Sequence, residues 1–208
     1  MDKFNEDYFV RGIEKGLSLY SNYRWIPELT IPFAHNLVKR LEIKETDKIL
    51  DFGCAMGFLV KGFRHLDYNA WGYDTSEYAL NNVPSDIKEF IFHTEVWTNK
   101  RWNWIICKDV FEHIPYNQID NTIKKIKSCS DRIFVAVPLS DNGMTYNEPF
   151  YEHDVTHIIR ENLTWWNNIF QSHLIEVEFA GYEIKGIKEN WKRIEQSNGF
   201  FKLKTNII

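Results

Sequence analysis

The sequence predicts an α/β fold, a mostly parallel sheet with helices on both faces, closed by an antiparallel strand pair. Three observations predict it. Over residues 48–137, short apolar runs alternate with helical stretches, the pattern of successive βα units. Those runs are rich in Ile and Val and show little polar alternation, as strands buried on both faces do. After residue 160, two alternating runs, 174–179 and 200–204, follow one another with no helix between them. Strands that return without a crossover helix pair antiparallel.

The elements follow in order. Residues 1–30 stand apart, rich in Tyr and Trp and carrying Gly12, Gly16 and Pro27. A helix is expected over 32–41, with Pro32 in its first turn and Phe33, Leu37 and Leu41 along one face. Residues 48–52 form the first strand, which breaks at Gly53-Cys54-Ala55-Met56-Gly57 and leads into a helix over 58–66. A second strand, 69–73, ends at Asp74, and Thr75 or Ser76 caps a helix through Leu80. The third strand is expected over 89–93 and the fourth over 104–107. Ile119, Ile123 and Ile126 mark a helix face. Residues 132–137 are the clearest strand, stopped by Pro138, and a helix over 161–170 precedes the closing pair.

A chain of 208 residues fits one domain, read as an aromatic helical leader, 1–45, and a core, 46–208. The charge balance is 25 − 29 = −4, which argues against a partner held by bulk positive charge, nucleic acid above all. No apolar run approaches the ~20 residues of a membrane span, and the first residues lack an apolar signal core. Cys54, Cys107 and Cys129 have no metal-like spacing, so a reducing cytoplasmic compartment is expected. Nothing specifies an oligomeric state.

The loop Gly53–Gly57 carries most of the functional information. A strand delivers the chain to a turn of small residues that feeds a helix N-terminus, where open N–H groups favour polar or anionic ligand atoms. Asp51 lies just before it. Asp74 lies 21 positions after Gly53, at the next strand end, where an acid can accept both ribose hydroxyls of a nucleoside. A dinucleotide fingerprint needs G-x-G-x-x-G, and Phe58 breaks it.

Asp51-Phe52-Gly53-Cys54-Ala55-Met56-Gly57 resembles the first motif of the class I S-adenosylmethionine-dependent methyltransferases, with Ala55 in place of the usual middle Gly. Asp74 and its neighbour Thr75 match the ribose-binding position. Glu95 matches the acid near the adenine amino group, and Val96 the residue that packs on the adenine ring. Asp109-Val110-Phe111-Glu112-His113-Ile114 matches the segment after the fourth strand. The resemblance spans residues 46–180. It implies a Rossmann-like sandwich with a seven-stranded sheet whose last strand is antiparallel. It also implies S-adenosylmethionine held by Asp51, Gly53, Cys54, Ala55, Gly57, Asp74, Thr75, Glu95, Val96, Lys108 and Asp109. The leader resembles that of some bacterial and phage members associated with glycan or cell-surface biosynthesis.

Methyl transfer is an in-line displacement, so the main task is to hold the nucleophile ~3–3.5 Å from the methyl carbon. A hydroxyl nucleophile also gains from a nearby base. His113 follows the fourth strand. The loop after the fifth carries His153, Asp154 and His157, and related methyltransferases repeat an Asp-x-Thr-His segment there. The expected catalytic residues are His157, His113 and Asp154. The expected substrate contacts are His153 and, from a leader acting as a lid, Tyr8, Tyr20, Tyr23, Arg24 and Trp25. The preferred reading has no metal. The alternative, by resemblance to ubiquinone-pathway and small-RNA-terminal O-methyltransferases, is a divalent metal on Asp109, Glu112 and His113 with His153 or His157 as fourth ligand.

His35, His65 and His173 are expected at the surface or an edge, and Cys107 in the core. Trp97, Trp102 and Trp104 are expected together near the adenine side, and one of Trp165 and Trp166 buried. Residues 185–204 hold six basic side chains against two acidic, a solvated surface or a landing site for a phosphorylated substrate. The preferred function is methyl transfer to an oxygen or nitrogen of a polar small molecule such as a sugar or glycan precursor. The alternatives are an RNA methyltransferase, a non-catalytic cofactor-binding protein and, disfavoured by Phe58, a nicotinamide dehydrogenase.

Overall fold

The computed structural model describes residues 3–189 and 194–205. Seven strands, β1 (Lys48–Phe52), β2 (Asn69–Tyr73), β3 (Ile91–Phe92), β4 (Trp102–Lys108), β5 (Ser130–Pro138), β6 (Ile175–Gly181) and β7 (Asn198–Thr205), form one sheet in the order 3-2-1-4-5-7-6. β1 pairs in parallel with β2 and β4, β2 with β3, and β4 with β5. β7 runs antiparallel to both its neighbours, β5 and β6. The mostly parallel sheet with an antiparallel last strand is thus as expected.

The helices are α1 (Glu6–Val10), α2 (Gly12–Lys15), α3 (Pro27–Leu41), α4 (Phe58–His65), α5 (Glu77–Asn81), α6 (Tyr116–Cys129) and α7 (Leu163–Ser172). Alternation along the central strands sorts side chains to two faces. Ile105, Cys107, Ile133, Val135 and Phe201 pack with Ile119, Ile123 and Ile126 of α6 and Trp166 and Phe170 of α7. Trp104, Ile106, Phe134 and Phe200 pack with Leu37 and Leu41 of α3 and Val60 and Phe63 of α4. Both faces of β4 and β5 are covered, which is why these strands read as unbroken apolar runs. A third cluster joins Tyr8 and Phe9 of the leader to Met56, Phe58 and Ala79 beside the glycine loop.

Three local expectations are corrected, and one choice between two caps is decided. α3 begins at Pro27, whose ring presets the helical φ, and Pro32 lies inside the helix. As the sixth residue it lies past the first turn, so its missing N–H removes the one bond that would reach the Glu28 carbonyl. β3 shrinks to Ile91–Phe92 because Lys88–Phe90 closes a 3₁₀ turn. Ser76, not Thr75, caps α5, its Oγ accepting from Ala79 N at 3.0 Å. Trp104 packs on the opposite face from Trp97 and Trp102. Trp166 is buried and Trp165 partly so, as expected. No helix among the described residues is long and apolar enough to cross a membrane.

Candidate active site

The strand order reverses between β1 and β4, and open α/β sheets bind ligands outside the carboxyl ends of the strands at such a reversal. A cleft of about 480 Å³ opens there. In strand order its walls are Glu95 and Trp97 beyond β3, Asp74 and Thr75 after β2, Gly53 and Ala55 after β1, and Asp109, Val110 and His113 after β4. Phe4, Tyr8, Phe9 and Tyr20 of the leader wall the same cleft.

The glycine loop is shaped by the register of β1 and β2. Phe52 pairs with Tyr73, so the two strands end level. Gly53 N and Cys54 N both donate to the Tyr73 carbonyl, at 2.8 and 3.0 Å. Asp74, the next residue, then accepts from Ala55 N at 2.7 Å with Oδ2 and from Ser76 N at 2.8 Å with Oδ1. Gly53 has φ +78°, and a Cβ there would lie 2.5 Å from a Val110 methyl, so the position excludes side chains on both counts. Gly57, at φ +77°, starts α4 behind the loop. Burial pushes the Asp51 carboxyl up to about 7, with Lys108 opposing and Asp74 adding to the rise. Cys54 is buried in the cluster under α4 and its thiol is pushed well up by burial, so it carries no thiolate chemistry.

Of the expected cofactor residues, Gly53, Ala55, Asp74, Thr75, Glu95 and Asp109 line the cleft, and Asp51, Cys54, Gly57, Val96 and Lys108 do not. Val96 is 47% exposed. Its neighbour Trp97 takes the inward position, because the Glu95–Asn99 3₁₀ turn directs it against Phe52 and Tyr73. Glu95 pairs with Lys125 of α6 at 2.6 Å.

Asp109 adopts a left-handed φ of 54°. Lys108 Nζ donates to one of its carboxylate oxygens and Lys188 Nζ to the other, each at 2.5 Å. Burial alone would raise this carboxyl; the two ammonium groups outweigh it and hold Asp109 well below the usual carboxylate range. Lys188 therefore does not face solvent as part of a basic patch. Lys202 and Lys204 pair with Glu178 and Glu176 at 3.7 and 3.6 Å; Lys192 and Arg193 lie outside the described residues.

The histidines meet behind the cleft. Thr156 Oγ1 donates to Asp154 Oδ1 at 2.6 Å. A hydroxyl has one hydrogen, so toward His113 it accepts, and His113 Nδ1–H donates to it at 2.8 Å. That leaves Nε2 of neutral His113 with its lone pair. His157 Nδ1–H donates to the Tyr151 carbonyl at 2.9 Å, and its ring centroid lies 4.7 Å from that of His113. Burial dominates: His113 falls to about 4, with His157 adding to the fall, and His157 is lowered too. The Asp154 carboxyl group opposes this, favouring a charged imidazole in both rings. His113 lines the cleft; His157, 7% exposed, and Asp154, 3% exposed, stand behind it. His153 is exposed and stacks edgewise near Phe150.

Tyr8 links the leader to this network, its hydroxyl donating to Asp154 Oδ2 at 2.7 Å. Ser76 Oγ donates to the Phe4 carbonyl at 2.6 Å and Val155 N to the Leu17 carbonyl at 3.1 Å, so the leader is tied down on both sides of the cleft. Tyr23 and Trp25 pack on Phe58 instead of entering the cleft, and Arg24 is exposed. The metal alternative also changes. Asp109 is engaged by its lysines, and among the described residues the side chains whose donor atoms lie within 4.8 Å of one another are Glu112, His113 and His157. Glu112 is 1% exposed, its Oε2 has no hydrogen-bond partner, and burial followed by the Asp109 charge raises its carboxyl well above the usual range. Sequence reasoning missed Phe4, Thr156 and Lys188, whose partners Ser76, His113 and Asp109 are distant in sequence; Trp97 is on the adenine side, as expected.

A seven-stranded sheet of this order with a glycine loop at its switch point defines a Rossmann-like nucleoside-binding enzyme. Residues 26–179 match the methyltransferase-domain family model, and the chain belongs to that family. It is an S-adenosylmethionine-dependent methyltransferase of class I. No curated protein matches the sequence. Among solved structures it is similar to the magnesium protoporphyrin IX methyltransferase of Synechocystis PCC 6803 with bound S-adenosylhomocysteine (13% identity, 99% of this chain and 100% of that one, TM-score 0.64). It is also similar to a methyltransferase of Archaeoglobus fulgidus (13%, 86% and 94%, 0.63). A third is the plantazolicin methyltransferase BpumL in complex with a monoazolic desmethylPZN analogue and S-adenosylhomocysteine (14%, 87% and 83%, 0.60).

Proposed function

We propose that the chain transfers the methyl group of S-adenosylmethionine to an oxygen or nitrogen of a polar, uncharged small molecule, a sugar or glycan precursor being the preferred acceptor. The observation that carries the reading is one cleft that joins the glycine loop and Asp74 to His113 under an aromatic leader. Asp74 and Glu95, on the cleft wall, bind the nucleoside. Phe4, Tyr8 and Tyr20 form the wall beside His113, and aromatic faces suit the C–H face of a hydroxylated ring. Lys125, the lysine on the cleft wall, is paired with Glu95, which leaves an anionic acceptor little attraction among the described residues. The same balance, with the net charge of −4, disfavours RNA. The free, buried cysteines suit a reducing cytoplasm.

In the reaction an acceptor lone pair attacks the methyl carbon in line with the C–S bond, and the bonding pair leaves on sulfur. His113 is already neutral, and its Nε2 lone pair takes a hydrogen bond from the acceptor, orienting it and receiving its proton as the new bond forms. Thr156 and Asp154 fix the imidazole tautomer, and His157 packs behind it. A second reading rests on Glu112, whose buried Oε2 is unpartnered: Glu112, His113 and His157 would hold a divalent ion, and the group would supply Lewis-acid activation of the acceptor. Methyl-labelled cofactor, incubated with protein and with separate small-molecule and RNA fractions, tests the reading. Label in the small molecules supports it, and label confined to RNA overturns it. Activity lost to chelator and restored by Mg²⁺ moves the chemistry to the ion.

A further inference from the structure

The excursion between β6 and β7 sends one lysine into the cofactor half of the molecule. Lys188 is 7% exposed. A buried ammonium is costly unless paired, and this one donates to Asp109 Oδ1 at 2.5 Å and to Asn198 Oδ1 at 2.8 Å. Asn198 is fixed in turn by the Tyr151 hydroxyl at 2.7 Å. The excursion is pinned to α3, where Asn36 Nδ2 donates to the Gly186 carbonyl at 3.0 Å and Arg40 Nε to the Lys185 carbonyl at 2.9 Å. Both ends of the contact are left-handed, Asp109 at φ 54° and Lys188 at φ 56°. Such backbone persists where the surroundings over-determine it, as they do at ligand clamps.

Asp109 stays 28% exposed and lines the cleft next to Gly53 in strand order. A carboxylate has about four acceptor sites, and its two lysines occupy one on each oxygen. The remaining sites suit a donor from the cleft. We propose that Lys188 is a positioning residue of the cofactor site, locking the Asp109 carboxylate to receive the ammonium of the cofactor's amino-acid tail. This rests on the reading of the cleft as the S-adenosylmethionine site. Lys108 holds the second oxygen from the neighbouring residue of β4, so Lys188 is the long-range half of the clamp.

The test is calorimetric titration of S-adenosylhomocysteine into wild type, Lys188→Met, Lys188→Arg, Asp109→Asn and the Asp109→Asn/Lys188→Met double variant, with a thermal melt of each. Loss of one charge-assisted contact predicts binding weakened at least ~10-fold in Lys188→Met, largely restored in Lys188→Arg. In the Asp109→Asn background, Lys188→Met should change affinity less than ~2-fold, because contacts acting through one another are not additive. A purely structural lysine lowers the melting temperature and leaves affinity alone, or adds its effect to that of Asp109→Asn; either result overturns the proposal. If Lys188→Met does not fold, Lys188→Gln, which keeps a donor without the charge, decides by the same readouts. Wild type that fails to bind S-adenosylhomocysteine sinks the cofactor reading itself; wild type that binds, with unchanged Lys188→Met, sinks this inference alone.

Discussion

The two ends of the cleft are built in opposite ways. The nucleoside end is local: Gly53, Ala55 and Asp74 sit on two adjacent parallel strands, and their hydrogen bonds span about one βα unit. The acceptor end is assembled across the chain. Tyr8 reaches Asp154 over 146 residues, and His113 reaches Thr156 over 43. Backbone geometry dictates the first end, whereas side chains from the leader and two loops dictate the second. Changes at the nucleoside end should therefore act on affinity, and changes at the acceptor end on turnover.

The largest expected effect is at His113. His113→Ala should lower turnover by ~10²–10⁴ and leave S-adenosylhomocysteine affinity within ~2-fold, because Asp74 and Glu95 are untouched; labelled-methyl transfer and calorimetry measure the two. A variant that loses both would erase the division between the ends. Next is Tyr8→Phe, which strips a donor from the buried Asp154 carboxylate at a cost of ~1–3 kcal/mol. Hydrogen exchange over α1 and α2 should quicken while cofactor affinity holds. Exchange that does not change would separate the leader from the histidine network.

The smallest effect is at Asp51. Its folded carboxyl is raised from the usual 3.8 to about 7, so between those values the folded state binds the extra proton. The stability this proton provides is full below pH ~4 and is lost as pH rises through ~7. Asp51→Asn, neutral throughout, should gain on wild type by at least ~1 kcal/mol, or ~2–4 °C, between pH 5 and pH 8 in thermal melts. An equal difference at both pH values would show that burial does not govern this carboxyl.

What the sequence made legible follows the same division. β1 and β2 have the expected boundaries, and Gly53, Ala55 and Asp74 reach the cleft, because a strand, a tight turn and a level strand end are set by neighbours in sequence. Asp74 shows the limit even there, since its carboxylate also braces the loop through Ala55 N. At the acceptor end, residue types were legible and their arrangement was not. His157 stands first among the expected catalytic residues, with His113 in support, yet the Tyr151 carbonyl turns His157 inward while His113 stays on the cleft wall. Tyr23, Arg24 and Trp25 shared the aromatic density of Tyr8 and Tyr20, but packing on Phe58 diverts the first and last of the three. Lys188 read as one charge in a basic run because its partner is far away in sequence.

The most direct test of the account is a calorimetric titration of S-adenosylhomocysteine into wild type and Asp74→Ala. The account predicts one site per chain in wild type. It predicts binding weakened by about 1.5–3 kcal/mol in Asp74→Ala, the range for hydrogen bonds to a charged group, with the fold intact by circular dichroism. Equal affinity in the two proteins, or NADH binding tighter than the sulfur nucleoside, would contradict it.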